Sequence, residues 1–189
     1  MRWLSLVLTV ALLAGCGGES WHTKDIDGLM PDLAFTLTGE GGKTVHGREY
    51  RGQVTLVYFG YTYCPDVCPM TLARLSSVLD RLTPAQRDDV SVLFVSVDPR
   101  RDSPERLAKY TAAFGKDFAG LTGTQDQLQA LTKRYRVTYG YGDGYPDGYY
   151  NVSHSSAVFV FDEEGQARLM FRDGDSVDAM VGDLKRLIG

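Results

Sequence analysis

The sequence predicts an α/β domain, a central mixed β-sheet flanked by helices with an extra N-terminal β-hairpin. The run Val54-Thr55-Leu56-Val57-Tyr58-Phe59 is apolar or β-branched on both faces, as a strand covered on both sides must be. Leu72, Leu75, Val78, Leu79 and Leu82 then recur at helical spacing, and strand-like and helix-like stretches alternate to the end of the chain. The chain has 189 residues, 43% of them hydrophobic and 23% charged, enough for one core of ordinary domain size.

Arg2 and the apolar run Trp3–Leu13 form a secretory leader, shorter than the roughly 20 residues a membrane-crossing helix needs. The run ends in Leu13-Ala14-Gly15-Cys16, which resembles the bacterial lipobox. Residues 1–15 are therefore expected to be a lipoprotein signal peptide, with Cys16 the lipid-modified first residue of a mature protein held on a membrane surface outside the cytoplasm. Residues 16–29 carry Gly, Ser and charge with no apolar period, and read as a flexible tether. Residues 30–189 remain as a single domain.

Within it, Leu33–Leu37 and Lys43–Val45 flank Gly39-Glu40-Gly41-Gly42, a hairpin signal. The Val54–Phe59 strand comes next, and the leucine-rich helix is expected to begin just after Cys68-Pro69. A second buried strand, Val90–Val97, runs into Asp98-Pro99, and Ser103-Pro104-Glu105 then caps a helix reaching Phe114. Thr124 and Gln127 form a capping box ahead of Leu128, Leu131 and Tyr135. Strands at Ala157–Phe161 and Ala167–Phe171 and a last helix capped by Ser176 complete the chain. Alternating elements closed by a β-hairpin and a helix suggest the thioredoxin-like fold.

Formal charge is −4, and a chain starting at Cys16 loses only Arg2, so it carries 19 basic against 24 acidic residues. That balance disfavours a general nucleic-acid binder, which needs a basic surface to displace counterions. The 21 glycines show no G-X-Y period, which excludes a collagen-like chain.

Setting Cys16 aside, the remaining two of three cysteines are Cys64 and Cys68, in Tyr63-Cys64-Pro65-Asp66-Val67-Cys68-Pro69. Three intervening residues exclude the commonest redox spacing, CxxC, yet let both sulfurs meet at a strand-to-helix turn. The helix N-terminus there is expected to favour thiolate over thiol. A thiolate is both the nucleophile of disulfide exchange and a soft metal ligand. A structural disulfide is the alternative, although closing so small a loop constrains the unfolded chain little.

Of the three histidines, His22 falls in the tether and His46 at the polar end of the hairpin, where both are expected to be solvated. His154 stands in Val152-Ser153-His154-Ser155-Ser156, immediately before a core strand. In a thioredoxin-like layout that loop packs beside the cysteine turn, where thiol oxidoreductases usually place a cis-proline, and no proline occurs between Asp147 and Ala157. An imidazole added to two thiolates makes a Cys₂His set that suits Cu(I) and can hold Cu(II). Zinc accepts the same ligands, normally with a fourth, and a hydrogen-bonded loop histidine is the plainer alternative.

From about Pro31 to Ile188 the chain resembles the Sco/SenC family of copper-binding, thioredoxin-like proteins associated with assembly of the copper centre of cytochrome c oxidase. The motifs are Gly60-Tyr61-Thr62-Tyr63-Cys64-Pro65-Asp66-Val67-Cys68-Pro69, Val95-Ser96-Val97-Asp98-Pro99-Arg100-Arg101-Asp102-Ser103-Pro104 and Val152-Ser153-His154-Ser155. The resemblance implies copper ligands at Cys64, Cys68 and His154, with Asp98 a neighbour that orients or tunes the site. It also implies a copper-receiving oxidase subunit as partner, with other periplasmic copper chaperones or thiol reductants beside it, and a periplasmic location. Ser153 departs from the family pattern, where many relatives carry an acid.

Two functions follow. In one the chain is a metallochaperone that passes copper on by ligand exchange. In the other it is a thiol-disulfide oxidoreductase whose Cys64 or Cys68 keeps the recipient's cysteines reduced. A peroxidase is excluded by its Pro-x-x-x-Thr-x-x-Cys signature, since Tyr61 and Pro65 occupy the threonine position before the two cysteines. The glycine- and tyrosine-rich stretch Tyr139–Tyr150 is expected to act as a flap over the copper site or as a plain surface hairpin.

Overall fold

The computed structural model describes residues 20–142, the backbone of Val152–His154, and residues 156–189. The leader, Cys16 and most of the tyrosine-rich loop lie outside the described residues. Among the described residues ten strands and five α-helices follow in chain order: β1 (Lys24–Asp25), β2 (Thr36–Gly39), β3 (Thr44–His46), β4 (Val54–Gly60), α1 (Val67–Leu79), α2 (Pro84–Asp88), β5 (Val90–Ser96), α3 (Pro104–Thr111), β6 (Phe118–Thr122), α4 (Gln125–Arg134), β7 (Tyr139–Tyr141), β8 (Val152–His154), β9 (Val158–Phe161), β10 (Ala167–Phe171) and α5 (Val177–Ile188). Eight strands form one sheet in the order β1-β10-β9-β4-β5-β6-β2-β3, and β7 pairs with β8 separately. β4, β5 and β6 are parallel, and the flanking strands run antiparallel to their neighbours. The sheet is mixed and helix-flanked, as the alternation of patterns predicts, with the β2–β3 hairpin on its edge. Among the described residues no helix is long and apolar enough to cross a membrane.

Every residue of β4 is buried, which explains its lack of polar alternation. On one face Tyr58 packs on Phe94 of β5 at 6.0 Å between ring centroids, and Phe94 on Tyr110 of α3 at 5.2 Å. On the other, Tyr135 at the end of α4 meets Phe59, Phe159 and Phe161 at 5.6–6.3 Å. Such aromatic pairs contribute about 0.5–1.5 kcal/mol each beyond burial. β6 went unforeseen because Gly120 interrupts its apolar run. A Cβ there would lie 2.6 Å from that of Leu107 on α3, so glycine is what lets the helix seat on the strand.

The expected tether is ordered where it is described. Arg186 lies 4.0 Å over the Trp21 ring, β1 pairs with β10, and Ile26 is buried. The backbone amides of His22 and Thr23 and the Thr23 hydroxyl donate to the buried Asp183 carboxylate at 3.1, 2.8 and 2.7 Å. The His22 Nδ1 lies 3.0 Å from the same carboxylate, so this histidine is exposed but not simply solvated. His46 likewise has partners: its ring meets the Thr36 hydroxyl, and its amide donates to Glu49. Two-residue strands and long-range carboxylate contacts leave no period in a sequence, so a tether was the natural reading.

Burial pushes the Asp183 carboxyl up, but the hydrogen bonds from Thr23 and His22 outweigh it and hold the group below its ordinary 3.8. Its contribution is therefore complete above the unfolded value and is lost as pH falls through the lower folded one. Asp183→Ala is expected to cost about 1–3 kcal/mol in urea unfolding at neutral pH and to speed hydrogen exchange at Thr23. The deficit against the parent chain should shrink below about pH 3.8; a pH-independent deficit contradicts the clamp.

Candidate metal centre

β4 ends at Gly60, a turn of six residues follows, and α1 begins at Val67. The helix thus starts three residues earlier than the expected position just after Pro69 and takes Cys68 into its first turn. Pro69 is tolerated there because first-turn amides have no intrahelical partner. The other four helices are capped by the side chains of Thr83, Ser103, Thr124 and Ser176. Asp66, at the corresponding place before α1, makes no such bond. Instead the Cys68 amide donates to the Cys64 sulfur at 3.4 Å, so a thiol does the work of a cap.

Neither cysteine is bridged, which sets aside the structural disulfide in this structure. Cys64 is half-buried and Cys68 fully buried. Tyr58, on the strand beneath, donates its hydroxyl to the Cys68 sulfur at 3.6 Å. A Cβ on Gly60 would fall 2.8 Å from that sulfur and 2.6 Å from Phe94 Cε2, so glycine makes the space the sulfur fills. The expectation of a lowered thiol pKa fails at Cys68. Sharing a hydrogen bond with Cys64 and then burial push its thiol up, against the Tyr61 backbone and Tyr58 hydroxyl, which favour the charged form.

The turn is held from the β5–α3 connection. Buried Asp102 accepts the Thr62 amide at 2.9 Å, the Thr62 hydroxyl at 2.6 Å and the Ser96 hydroxyl at 2.6 Å. Arg106 donates to the Thr62 hydroxyl at 2.5 Å and lies 3.9 Å over the Tyr63 ring. Asp98 is also fully buried and ion-pairs with Arg101, whose guanidinium covers Tyr61 and Tyr63 at 5.6 and 4.8 Å. Asp98 thereby reaches the cysteine turn through Arg101. Nothing local in the sequence marks Tyr58, Gly60, Thr62 and Asp102 as working residues, although all but Tyr58 stand inside the motifs quoted above.

β7 is fastened to the same end of the sheet. The Tyr141 hydroxyl donates to the Val97 carbonyl at 2.7 Å, and Gln125 donates to the Tyr139 hydroxyl at 2.7 Å. Tyr139 pairs with His154 across the hairpin, which brings the His154 backbone to this end; its side chain lies outside the described residues. Among the described residues no third histidine, cysteine or carboxylate joins the two thiols in a metal-sized group. The donor set present, two unbridged sulfurs on one turn, fits a soft ion such as Cu(I).

The SCO1/SenC family model matches residues 28–189. The chain belongs to that family. Protein SenC of Rhodobacter capsulatus is 40% identical over 150 residues, 79% of this chain and 66% of that protein. The mitochondrial SCO1 homolog of Homo sapiens is 36% identical over 180 residues, 88% of this chain and 60% of the relative, so the chain spans less than two thirds of either. The structure of Bradyrhizobium japonicum ScoI with copper bound superposes with a TM-score of 0.75 at 33% identity, covering 82% of this chain and 98% of that one. As a Sco/SenC protein, the chain has the thioredoxin-like fold its pattern predicts.

Gly60→Ala is expected to cost about 1–3 kcal/mol in chemical unfolding, as overpacking does, and to expose Cys68. Titration of the native chain with a thiol reagent checks this: Cys68 should change from slow to fast reaction. Native stability with Cys68 still slow contradicts the packing argument.

Proposed function

We propose that the chain is a copper metallochaperone in which Cys64, Cys68 and His154 hold one copper and pass it by ligand exchange to the copper-receiving subunit of cytochrome c oxidase. The observation that carries this reading is the pair of unbridged sulfurs set on one helix-capping turn, in a chain of the Sco/SenC family whose structural relative ScoI holds copper. Two thiolates satisfy Cu(I), and an imidazole from His154 adds the harder donor that Cu(II) prefers. Asp98 tunes the turn through Arg101 rather than by ligation. The partner reading draws support from surface chemistry. Of the five large hydrophobic residues exposed among those described, Tyr63 lies on the cysteine turn, Val67 and Met70 open α1 behind it, and Tyr141 hydrogen-bonds to the Val97 carbonyl. Such an apolar rim suits a protein that must bring its own ligands up to Cys64. The leader and the Leu13-Ala14-Gly15-Cys16 motif support a lipid-anchored, periplasmic location.

One observation favours a second activity. Half-buried Cys64 is reachable by a partner disulfide while buried Cys68 stands ready to resolve the mixed disulfide, the division of labour of a thiol-disulfide oxidoreductase. Reduction of a recipient's disulfide would precede copper delivery, because a disulfide offers no thiolate.

Anaerobic titration of the reduced chain with copper against a competing chelator tests the first reading. One tight copper per chain is expected, lost in Cys64→Ser and in Cys68→Ser. His154→Ala should lose tight Cu(II) with a weaker effect on Cu(I), and equal loss of both removes His154 from its assigned role. Copper bound no better than by the serine variants, with a dithiol that still reduces a partner disulfide, leaves only the oxidoreductase. Met70→Asp is expected to slow transfer to a recipient at least tenfold, with copper affinity kept. An unchanged transfer rate would remove the apolar rim from the docking surface.

A further inference from the structure

The Tyr58 hydroxyl has no place in the functions above, yet it touches the less accessible of the two sulfurs. Tyr58 is fully buried in the middle of β4, and its only polar atom is aimed out of the sheet, at 3.6 Å from Cys68 Sγ. The hydroxyl is itself held in place, because the Thr71 side chain, one turn along α1 from Cys68, hydrogen-bonds to it. Ring contact with Phe94 at 6.0 Å fixes the other end of the side chain. Gly60, by lacking a Cβ, leaves Cys68 the room to reach this donor. In so buried a place the bond to sulfur is strengthened or weakened by whatever happens at that sulfur.

We propose that Tyr58 is a redox-tuning residue of the cysteine pair: its hydroxyl bond to Cys68 stabilises the reduced sulfur over the disulfide. The inference rests on Cys64 and Cys68 being the working pair, and is independent of which metal they hold. A thiol or thiolate sulfur accepts a hydrogen bond better than the divalent sulfur of a disulfide, and a charged acceptor roughly doubles the bond. Oxidation therefore weakens the Tyr58 bond inside a fully buried site. With oxidised glutathione as the co-reactant, the exchange is balanced. Cys64 and Cys68 give two electrons and two protons, one S–S bond forms between them, and the S–S bond of glutathione breaks to leave two glutathione thiols.

The test is the equilibrium between the dithiol and disulfide forms of the full chain in glutathione buffers at pH 7, with metal removed, read by thiol trapping. Tyr58→Phe keeps the ring and its packing and deletes one hydroxyl. It is expected to raise the constant for disulfide formation about three- to tenfold, tenfold being about 30 mV for this two-electron couple. Tyr110→Phe is the control. That ring also packs on Phe94, and its buried hydroxyl has no hydrogen-bond partner among the described residues, so its removal is expected to leave the constant within about twofold. An unchanged constant in Tyr58→Phe, or equal shifts in both variants, overturns the proposal. Failure of the parent chain to form a Cys64–Cys68 disulfide overturns it too, while the copper reading stands or falls on its own titration.

Discussion

A sulfur caps a helix in this protein, and the site is built around that substitution. α1 leaves its first amides without the hydroxyl that caps its sister helices, and the Cys64 sulfur accepts the one from Cys68. The bond explains why three residues separate the cysteines. The chain needs that much length to leave Cys64, pass Asp66 and enter the helix with the second cysteine inside its first turn. It also makes the two sulfurs unequal, since one faces the surface and caps, while the other is sunk between the helix and β4. Any ligand of both sulfurs must therefore act at a helix end, beside the amide that Cys64 already holds.

Around the turn, the polar groups are paired with care. Asp102 takes three hydrogen bonds from Thr62 and Ser96, and Arg106 completes the cluster from α3. Buried networks of this kind hold one geometry when every member is satisfied and are costly when one is lost. Because Ser96 ends β5 and Asp102 leads into α3, the network ties the loop before Cys64 to the parallel core, not to its neighbours along the chain. The cysteine turn inherits the rigidity of the sheet.

What the sequence made legible follows from range and period. β4 and β5, the capped helices α3, α4 and α5, and the cysteine turn announce themselves through local apolar spacing, Ser or Thr caps and paired thiols. Cys64 and Cys68 could be found because chemistry marked them. β1 and β6 could not, being short and interrupted by polar or glycine residues, and neither could pairings such as Thr23 with Asp183, 160 residues apart. The start of α1 was misplaced because apolar periodicity begins only with Leu72, whereas the backbone turns helical as soon as a sulfur can serve its amides. Asp102 and Tyr58 were invisible as working parts for a different reason: an acid before a serine cap and a tyrosine in a buried strand are ordinary residues until something stands opposite them.

The clamp at Asp183 sets an order of events. The first described residues are fastened by a strand and a helix that are synthesised long after them, since β1 lies on β10 and the carboxylate that holds Thr23 is 160 residues further along. Until β10 and α5 have been made, residues 20–26 have no edge to join and no carboxylate to bind. The parallel core of β4, β5 and β6 needs neither, so residues 20–26, although made earlier, are secured after it. A truncation that removes α5 would strip the Asp183 carboxylate from His22 and Thr23 and leave β1 held by β10 alone, while the cysteine turn keeps the strands that support it.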